Sequence, residues 1–327
     1  MRLNQRLSVF FSSALKIIFP TKEGFFHAIK DFCFILIGGL LLSPLVGKLP
    51  MLGIDWYLFF TSHDPYFNIT TANAYPPFTK YFIILLTNLN WRISLGLINS
   101  LVLVSIALLT YKGQKKFLPI ILALVNFPVF TLFWAGQIDG LTLLGIASGF
   151  IPLILIKPQV AIWSVFQNKR WFLWTVFLII ISLIIWPLWP EKNLGSAIYV
   201  QPLEFGWYIM GWPIALLGIL LLIGAGNDPF RLMAAGCLVS PYLMPYHMAI
   251  LVPIIGRAKG YRPFFIWAAS WLMLLAIGLG GYYRYLNFVF PLTGYWLTQN
   301  FYDYWVNVKN LWQQISKPFS KIYSARN

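Results

Sequence analysis

Nine acidic residues serve a chain of 327, so any carboxylate standing in apolar surroundings is a candidate for chemistry. Four stretches hold such groups or their partners. The first is GIDWYLFFTSHDPYFNITTANAYPPFTKY, residues 53–81. Asp55 opens it, and a carboxylate at a membrane edge suits a general base that takes a proton from an acceptor hydroxyl. The alternative role for Asp55 is to cap a short helix starting at Trp56. Trp56, Tyr57, Phe59 and Phe60 suit an interfacial belt or a stacking surface for a sugar or isoprenoid. Asp64 stands between His63 and Pro65, and Asp-Pro opens turns, so a structural role competes with a binding one. His63 and Asp64 lack a third ligand at metal spacing, and no metal site is expected. Asn68-Ile69-Thr70 matches the glycosylation sequon, a frequent chance match.

The second stretch, WAGQIDGL (134–141), puts Gln137 and Asp139 at the junction of two apolar runs. An ionisable residue near membrane depth is functional by default, although Asp139 is also a good N-cap for a following helix. The third, LIKPQVA (155–161), places Lys157 and Gln159 at the opposite, cytoplasmic end of the apolar run 139–156. There Lys157 either binds phosphate or snorkels to the surface. The fourth, SPYLMPYH (240–247), carries Tyr242, Tyr246 and His247 where two short helices meet at a proline-broken point. Such a break is tolerated at membrane depth only against protein or a cavity. His247 there is either a donor to a phosphate or a buried ring satisfied by a neighbouring hydroxyl.

The elements that must position these residues follow from composition. The chain is 59% hydrophobic, 18% aromatic and 10% charged, with a mean hydropathy of +0.72, whereas a soluble domain carries about a quarter charged residues. The expected fold is therefore all-α, a polytopic membrane helix bundle of about ten hydrophobic segments. They fall at roughly 32–47, 93–111, 117–134, 139–156, 171–189, 207–224, 231–243, 247–256, 263–281 and 286–299. Residues 78–89 are too short to cross and follow Pro76-Pro77, which suggests a re-entrant or interfacial helix in the first outer loop. The net charge of +15 fits cytoplasmic loops and anionic headgroups better than nucleic acid. Cys33 and Cys237 sit in apolar runs and support neither a disulfide framework nor a zinc cluster.

The basic clusters YKGQKK (111–116), QNKR (167–170) and GRAKGYR (256–262) fall on one side if 78–89 does not span. They place both termini in the cytoplasm and residues 48–77 and 190–206 outside. Three regions result: an amphipathic cytoplasmic-surface segment over 1–30, an integral membrane domain over 31–299 and a basic cytoplasmic tail over 300–327. The first 30 residues lack a cleavage-site pattern and read as a membrane-surface helix rather than a signal peptide. The absence of a eukaryotic retention signal leans towards a bacterial or archaeal plasma membrane.

The order of these pieces is more informative than any one of them. An aspartate with aromatics after the first span, then DPY, AYPPF, GQIDGLTLLG, KPQ and SPYLMPYHMAILVP resembles glycosyltransferase family 87, C-type membrane enzymes that use polyprenyl-phosphate sugars. The resemblance covers about residues 50–255. It implies a C-type glycosyltransferase bundle with its site at the outer face, moving a hexose or pentose, mannose first, to a lipid-linked or glycan acceptor with inversion. It also implies that Asp55 is the general base, that Tyr75 with Pro76 and Pro77 shapes the loop, and that Gln137, Lys157 and Pro158 match the family's GQ and KP. Asp139 stands where asparagine is common, the chain is short for the family, and DWYLFF lacks the usual paired tyrosines.

Donor or acceptor binding is accordingly expected from Asp64, Tyr75, Gln137, Asp139, Lys157, Tyr246 and His247. Lys48, Lys80, Arg92, Lys192 and Arg284 are the cations near the outer side, and Arg92 and Arg284 are the two expected to meet the donor phosphate. The donor is a substrate and no cofactor is expected; the partners are the lipid-linked donor, the acceptor and membrane lipids. A transporter or flippase of a lipid-linked sugar, or a non-catalytic scaffold of the same architecture, are the other readings.

Overall fold

The computed structural model describes residues 22–49, 53, 55–57, 76, 78–187 and 205–324. The outer-loop candidates His63, Asp64 and Tyr75, the sequon and Lys192 lie outside them. Among the described residues every regular element is helical, and the one sheet-like pairing is an isolated antiparallel bridge between Phe205 and Leu243.

Helix α1 (Lys22–Val46) runs through the expected 30/31 boundary, so residues 22–30 belong to the same helix as the first span. The next helix described is α2 (Thr79–Thr87), a nine-residue helix that matches the short element expected at 78–89. The frame is completed by α3 (Trp91–Gln114), whose first turn is capped by the Asn90 side chain, accepting from the Arg92 N–H at 3.0 Å. Small residues let α1 and α3 approach closely: a Cβ on Gly96 would lie 2.8 Å from Gly47 Cα, the packing device of helices that have no hydrophobic drive to associate within lipid. Two serine hydroxyls on the buried side of α3 turn back on its own backbone, Ser100 Oγ donating to Gly96 O at 2.7 Å and Ser105 Oγ to Leu101 O at 2.7 Å. Asp31 and Lys112 form an ion pair that ties α1 to the last turn of α3.

Next, α4 (Phe117–Leu124) and α5 (Phe127–Ala135) form an apolar pair bent by 45°. A 3-10 turn, Ile138–Gly140, then leads into α6 (Leu141–Ser148). Here the expected span 139–156 is corrected. Gly149 adopts φ +68° and the chain reverses into α7 (Ile151–Ile154), with Gly145 packed on the Ile154 backbone, its Cβ position 2.8 Å from Ile154 N. An uninterrupted apolar run cannot distinguish a crossing from a hairpin; the glycines decide it, because Gly149 supplies the left-handed conformation and Gly145 leaves room for the returning arm.

The chain leaves the hairpin through α8 (Pro158–Ala161) and a 3-10 turn, Ile162–Gln167. It continues through α9 (Lys169–Ile185), α10 (Trp207–Met210), α11 (Trp212–Gly224) and α12 (Pro229–Val239). A buried 3-10 helix over Pro245–Arg257 follows. At 13 residues it is far longer than the usual three or four. Its backbone lies directly on α3, where Gly256 meets Thr110 O and Gly113 meets Gly256 O. Because backbone faces backbone, Gly256→Ala has nowhere to relax, and thermal unfolding in detergent should show a loss of about 1–3 kcal/mol. An unchanged melting temperature would contradict this packing.

Helix α13 (Arg262–Leu279), a 3-10 segment over Gly281–Phe288, α14 (Val289–Thr298) and α15 (Phe301–Ser324) close the fold. The expected basic tail is thus a helix docked on the end of α11. Tyr295 Oη donates to Leu221 O at 2.6 Å, Gln299 Nε2 to Gly224 O at 2.6 Å, Tyr304 Oη to Leu220 O at 3.1 Å and Asn307 Nδ2 to Gly224 O at 3.0 Å. The bonds to Leu221 and Gly224 satisfy carbonyls that a helix end leaves without intrahelical partners.

Among the described residues three helices, Phe26–Val46, Trp91–Gln114 and Arg262–Leu279, are long and apolar enough to cross a membrane, or four if the bent pair α4–α5 counts as one span. Leu41, Leu45, Ile184, Trp212 and Leu279 stand exposed on this surface. Apolar exposure of that extent suits a lipid solvent and is compatible with an integral membrane protein.

Candidate functional site

The hairpin reversal brings Lys157 back to the end of the fold that carries Gln137 and Asp139, rather than leaving it at the far end. Lys157 Nζ lies 3.3 Å from Asp139 Oδ2, and their side chains are 7% and 0% exposed. The structural alternatives expected for Lys157 and Asp139 are not met: the lysine is buried instead of snorkelling, and Asp139 sits inside the 3-10 turn without a side-chain capping bond. Removing water from two opposite charges is costly, and close pairing offsets that cost.

The pair orients its neighbours in sequence. Lys157 Nζ donates to Gln137 Oε1 at 3.4 Å. With its oxygen so engaged, Gln137 turns its amide nitrogen towards Asp55, and Nε2 donates to Asp55 Oδ2. Two glycines make this meeting possible. Gly53 (φ +50°) and Gly136 (φ +70°) are both left-handed, and a Cβ on Gly136 would lie 2.8 Å from Gly53 Cα. A side chain at either position would separate the segments that carry Asp55 and Gln137.

On the other side of Asp139 stands His247, 1% exposed, with Nε2 at 3.4 Å from Asp139 Oδ1. Its Nδ1 accepts the Met244 backbone N–H at 2.9 Å, so a neutral ring carries its proton on Nε2, the nitrogen nearer the carboxylate. A backbone amide therefore fills the place expected for a neighbouring hydroxyl. The rings of Tyr242 and Tyr246 meet His247 edge-on at 5.8 and 4.6 Å, and Lys157 Nζ lies 5.5 Å from the centre of the Tyr246 ring.

Asp55 is half-buried, as are Tyr242 and Tyr246, whereas Gln137, Asp139, Lys157 and His247 are all buried. Burial lifts the Asp55 carboxyl above the ordinary carboxylate value, and the Gln137 hydrogen bond and the Lys157 charge pull it part of the way back. The folded protein then binds a proton at Asp55 at a higher pH than the unfolded chain does. In the window between those two values this group favours folding as pH falls, so acidification removes the free base without unfolding the protein through it. Activity that depends on Asp55 as a base should fall as one proton is taken up, with a midpoint above the ordinary carboxylate value. A pH profile of the rate, with circular dichroism at each pH, checks this; a midpoint at or below the ordinary carboxylate value would contradict it.

No protein-family model matches this chain, and no curated protein or solved structure matches it. The chemistry of the site therefore rests on its own residues.

Of the ten site residues expected from sequence, Asp55, Gln137, Asp139, Lys157, Tyr246 and His247 converge. Arg92 stands apart at the start of α3, its guanidinium 5.3 Å from the Trp91 ring centre. Arg284 lies in the 3-10 segment Gly281–Phe288, where its carbonyl accepts from Asn287 Nδ2 at 2.9 Å. Neither arginine contacts the cluster among the described residues.

Supporting residues escaped the sequence reading. Trp56 is fully buried rather than interfacial, and its Nε1 donates to Ser94 Oγ at 2.8 Å, pinning the segment beside Asp55 to α3. Thr79 Oγ1 donates to Ile156 O at 3.1 Å and so fastens α2 next to Lys157. The local signal for the first was present as glycine just ahead of each acid or amide, in GID and GQID, which marks a close backbone approach without naming its partner.

Proposed function

We propose that this protein is a membrane glycosyltransferase that moves a hexose or pentose, with mannose the first sugar to test, from a polyprenyl-phosphate donor to a lipid-linked or glycan acceptor at the outer membrane face. The order of motifs, which resembles glycosyltransferase family 87, supports this reading. The observation that carries it is the half-exposed Asp55 carboxylate, held in one orientation by Gln137 and backed by a buried Lys157–Asp139 pair. A base that must meet a hydroxyl in one geometry gains from such restraint, because orientation before reaction is part of catalysis.

In the reaction the acceptor oxygen attacks the anomeric carbon from the face opposite the phosphate. Asp55 takes the acceptor proton, the bond from the anomeric carbon to the phosphate oxygen breaks, and polyprenyl phosphate leaves with that electron pair. One displacement inverts the anomeric centre.

The test is transfer by purified, reconstituted protein offered radiolabelled polyprenyl-phosphate sugars and a lipid extract as acceptor, with Asp55→Asn alongside. Transfer by the native protein alone is the expected result. A transporter of lipid-linked sugar is the second reading, favoured by the 45° break between α4 and α5 and by the hairpin at Gly149, since broken helices line transport paths. Sugar movement across liposomes, without transfer and indifferent to Asp55→Asn, would select it.

A further inference from the structure

The ends of α1 and α3 enclose a cavity of about 470 Å³ that none of the buried cluster residues lines. Val46, Leu49 and Leu95 make part of its wall apolar, while Lys48 and Arg92 bring two positive charges to it. Both cations are exposed, and neither forms an ion pair with a carboxylate among the described residues. The close approach of Gly47 and Gly96 backbones forms part of the same lining. The cavity also opens at the N-terminal end of a 24-residue helix, whose aligned peptides add partial positive charge there.

An exposed lysine and arginine at a helix end ordinarily spread into the headgroup region. Here both line one concave site together with apolar side chains, a combination that matches a molecule that is itself part alkyl and part anion. Arginine grips phosphate through paired N–H bonds, and lysine adds a point charge. We propose that this cavity binds the phosphate headgroup of a lipid, with Lys48 and Arg92 on the phosphate and Val46, Leu49 and Leu95 against the first carbons of the chain.

The same turn of α3 holds the segment that carries Asp55. The Tyr57 and Trp91 rings meet at 5.2 Å, and Leu95 packs against Gly53. Trp91 and Leu95 thus line the cavity and also touch the segment that carries the proposed base. That the lipid is the donor or the released carrier rests on the transferase reading; that a lipid phosphate binds does not.

The test is equilibrium binding of radiolabelled farnesyl phosphate to the full-length protein in phosphatidylcholine nanodiscs. The native protein should bind it, unlabelled farnesyl phosphate should compete, and inorganic phosphate or farnesol at the same concentration should not. Lys48→Gln with Arg92→Gln should weaken binding at least tenfold, while Arg92→Lys stays within a few-fold and all variants keep the native melting temperature. Weaker binding in nanodiscs containing phosphatidylglycerol would support the site with bulk phospholipid as its occupant. Binding by the double variant within twofold of native, or equal competition by inorganic phosphate or by farnesol, would overturn the proposal. Asp55→Asn should bind like the native protein, so loss of the transferase reading through retained transfer in that variant leaves this result separately readable.

Discussion

Asp55→Asn is expected to lower sugar transfer by about 10²–10⁴-fold, the usual contribution of a positioned general base, with the fold and donor binding intact. The asparagine keeps the size of the side chain, and its amide oxygen still accepts the Gln137 Nε2 hydrogen bond now made to the carboxylate. What it loses is the ability to take a proton. Gln137→Ala separates positioning from chemistry: the carboxylate stays but loses its restraint, so a smaller fall in rate is expected, accompanied by an altered pH profile because the Gln137 bond is one cause that holds the Asp55 value down. Rates measured under saturating donor would test both. Full activity in Asp55→Asn would remove this residue from the mechanism.

Asp139→Leu is expected to be the most destabilising single change in the site. It removes the partner of Lys157 while leaving the lysine 6% exposed, and breaking a buried pair from one side costs about 3–5 kcal/mol. Lys157→Met should cost a similar amount by stranding Asp139, with His247 Nε2 at 3.4 Å as the remaining polar neighbour the structure gives it. The double variant Asp139→Leu with Lys157→Met should recover most of that loss, because the penalty comes from an uncompensated charge rather than from the missing attraction. Unfolding of all three proteins in mixed micelles measures the coupling. Strictly additive losses would mean that the two groups do not form an interacting pair. The double variant should still transfer poorly even when stable, since Gln137 has lost the ammonium that fixes its oxygen.

The hydrophobic composition determined the class of the protein and the helical character of its elements, because a chain with so few charged groups has only lipid or its own helices to face. The sequence also marked the polar positions that matter: Asp55, Gln137, Asp139, Lys157, Tyr246 and His247 each stand out from apolar neighbours without any structure. The break at SPYLMPYH was legible too, since Pro241 and Pro245 cannot continue a hydrogen-bonded helix. The fate of the run 139–156 was not. Its apolar residues satisfy a span and a hairpin alike, and the choice lies in how Gly145 and Gly149 pack against residues that approach them only in the folded state.

The sides of the cluster were likewise decided by tertiary structure. Asp55 and Gln137 are 82 positions apart and Lys157 is 20 beyond Gln137, separations at which local pattern carries no information about contact. Apolar burial draws the helices together with little regard for pairing, but a buried charge tolerates few neighbours. The sequence by itself therefore determined which residues had to find partners inside the membrane-like core, and the packing of α3, the Gly149 hairpin and the 3-10 helix Pro245–Arg257 decided which partners they found.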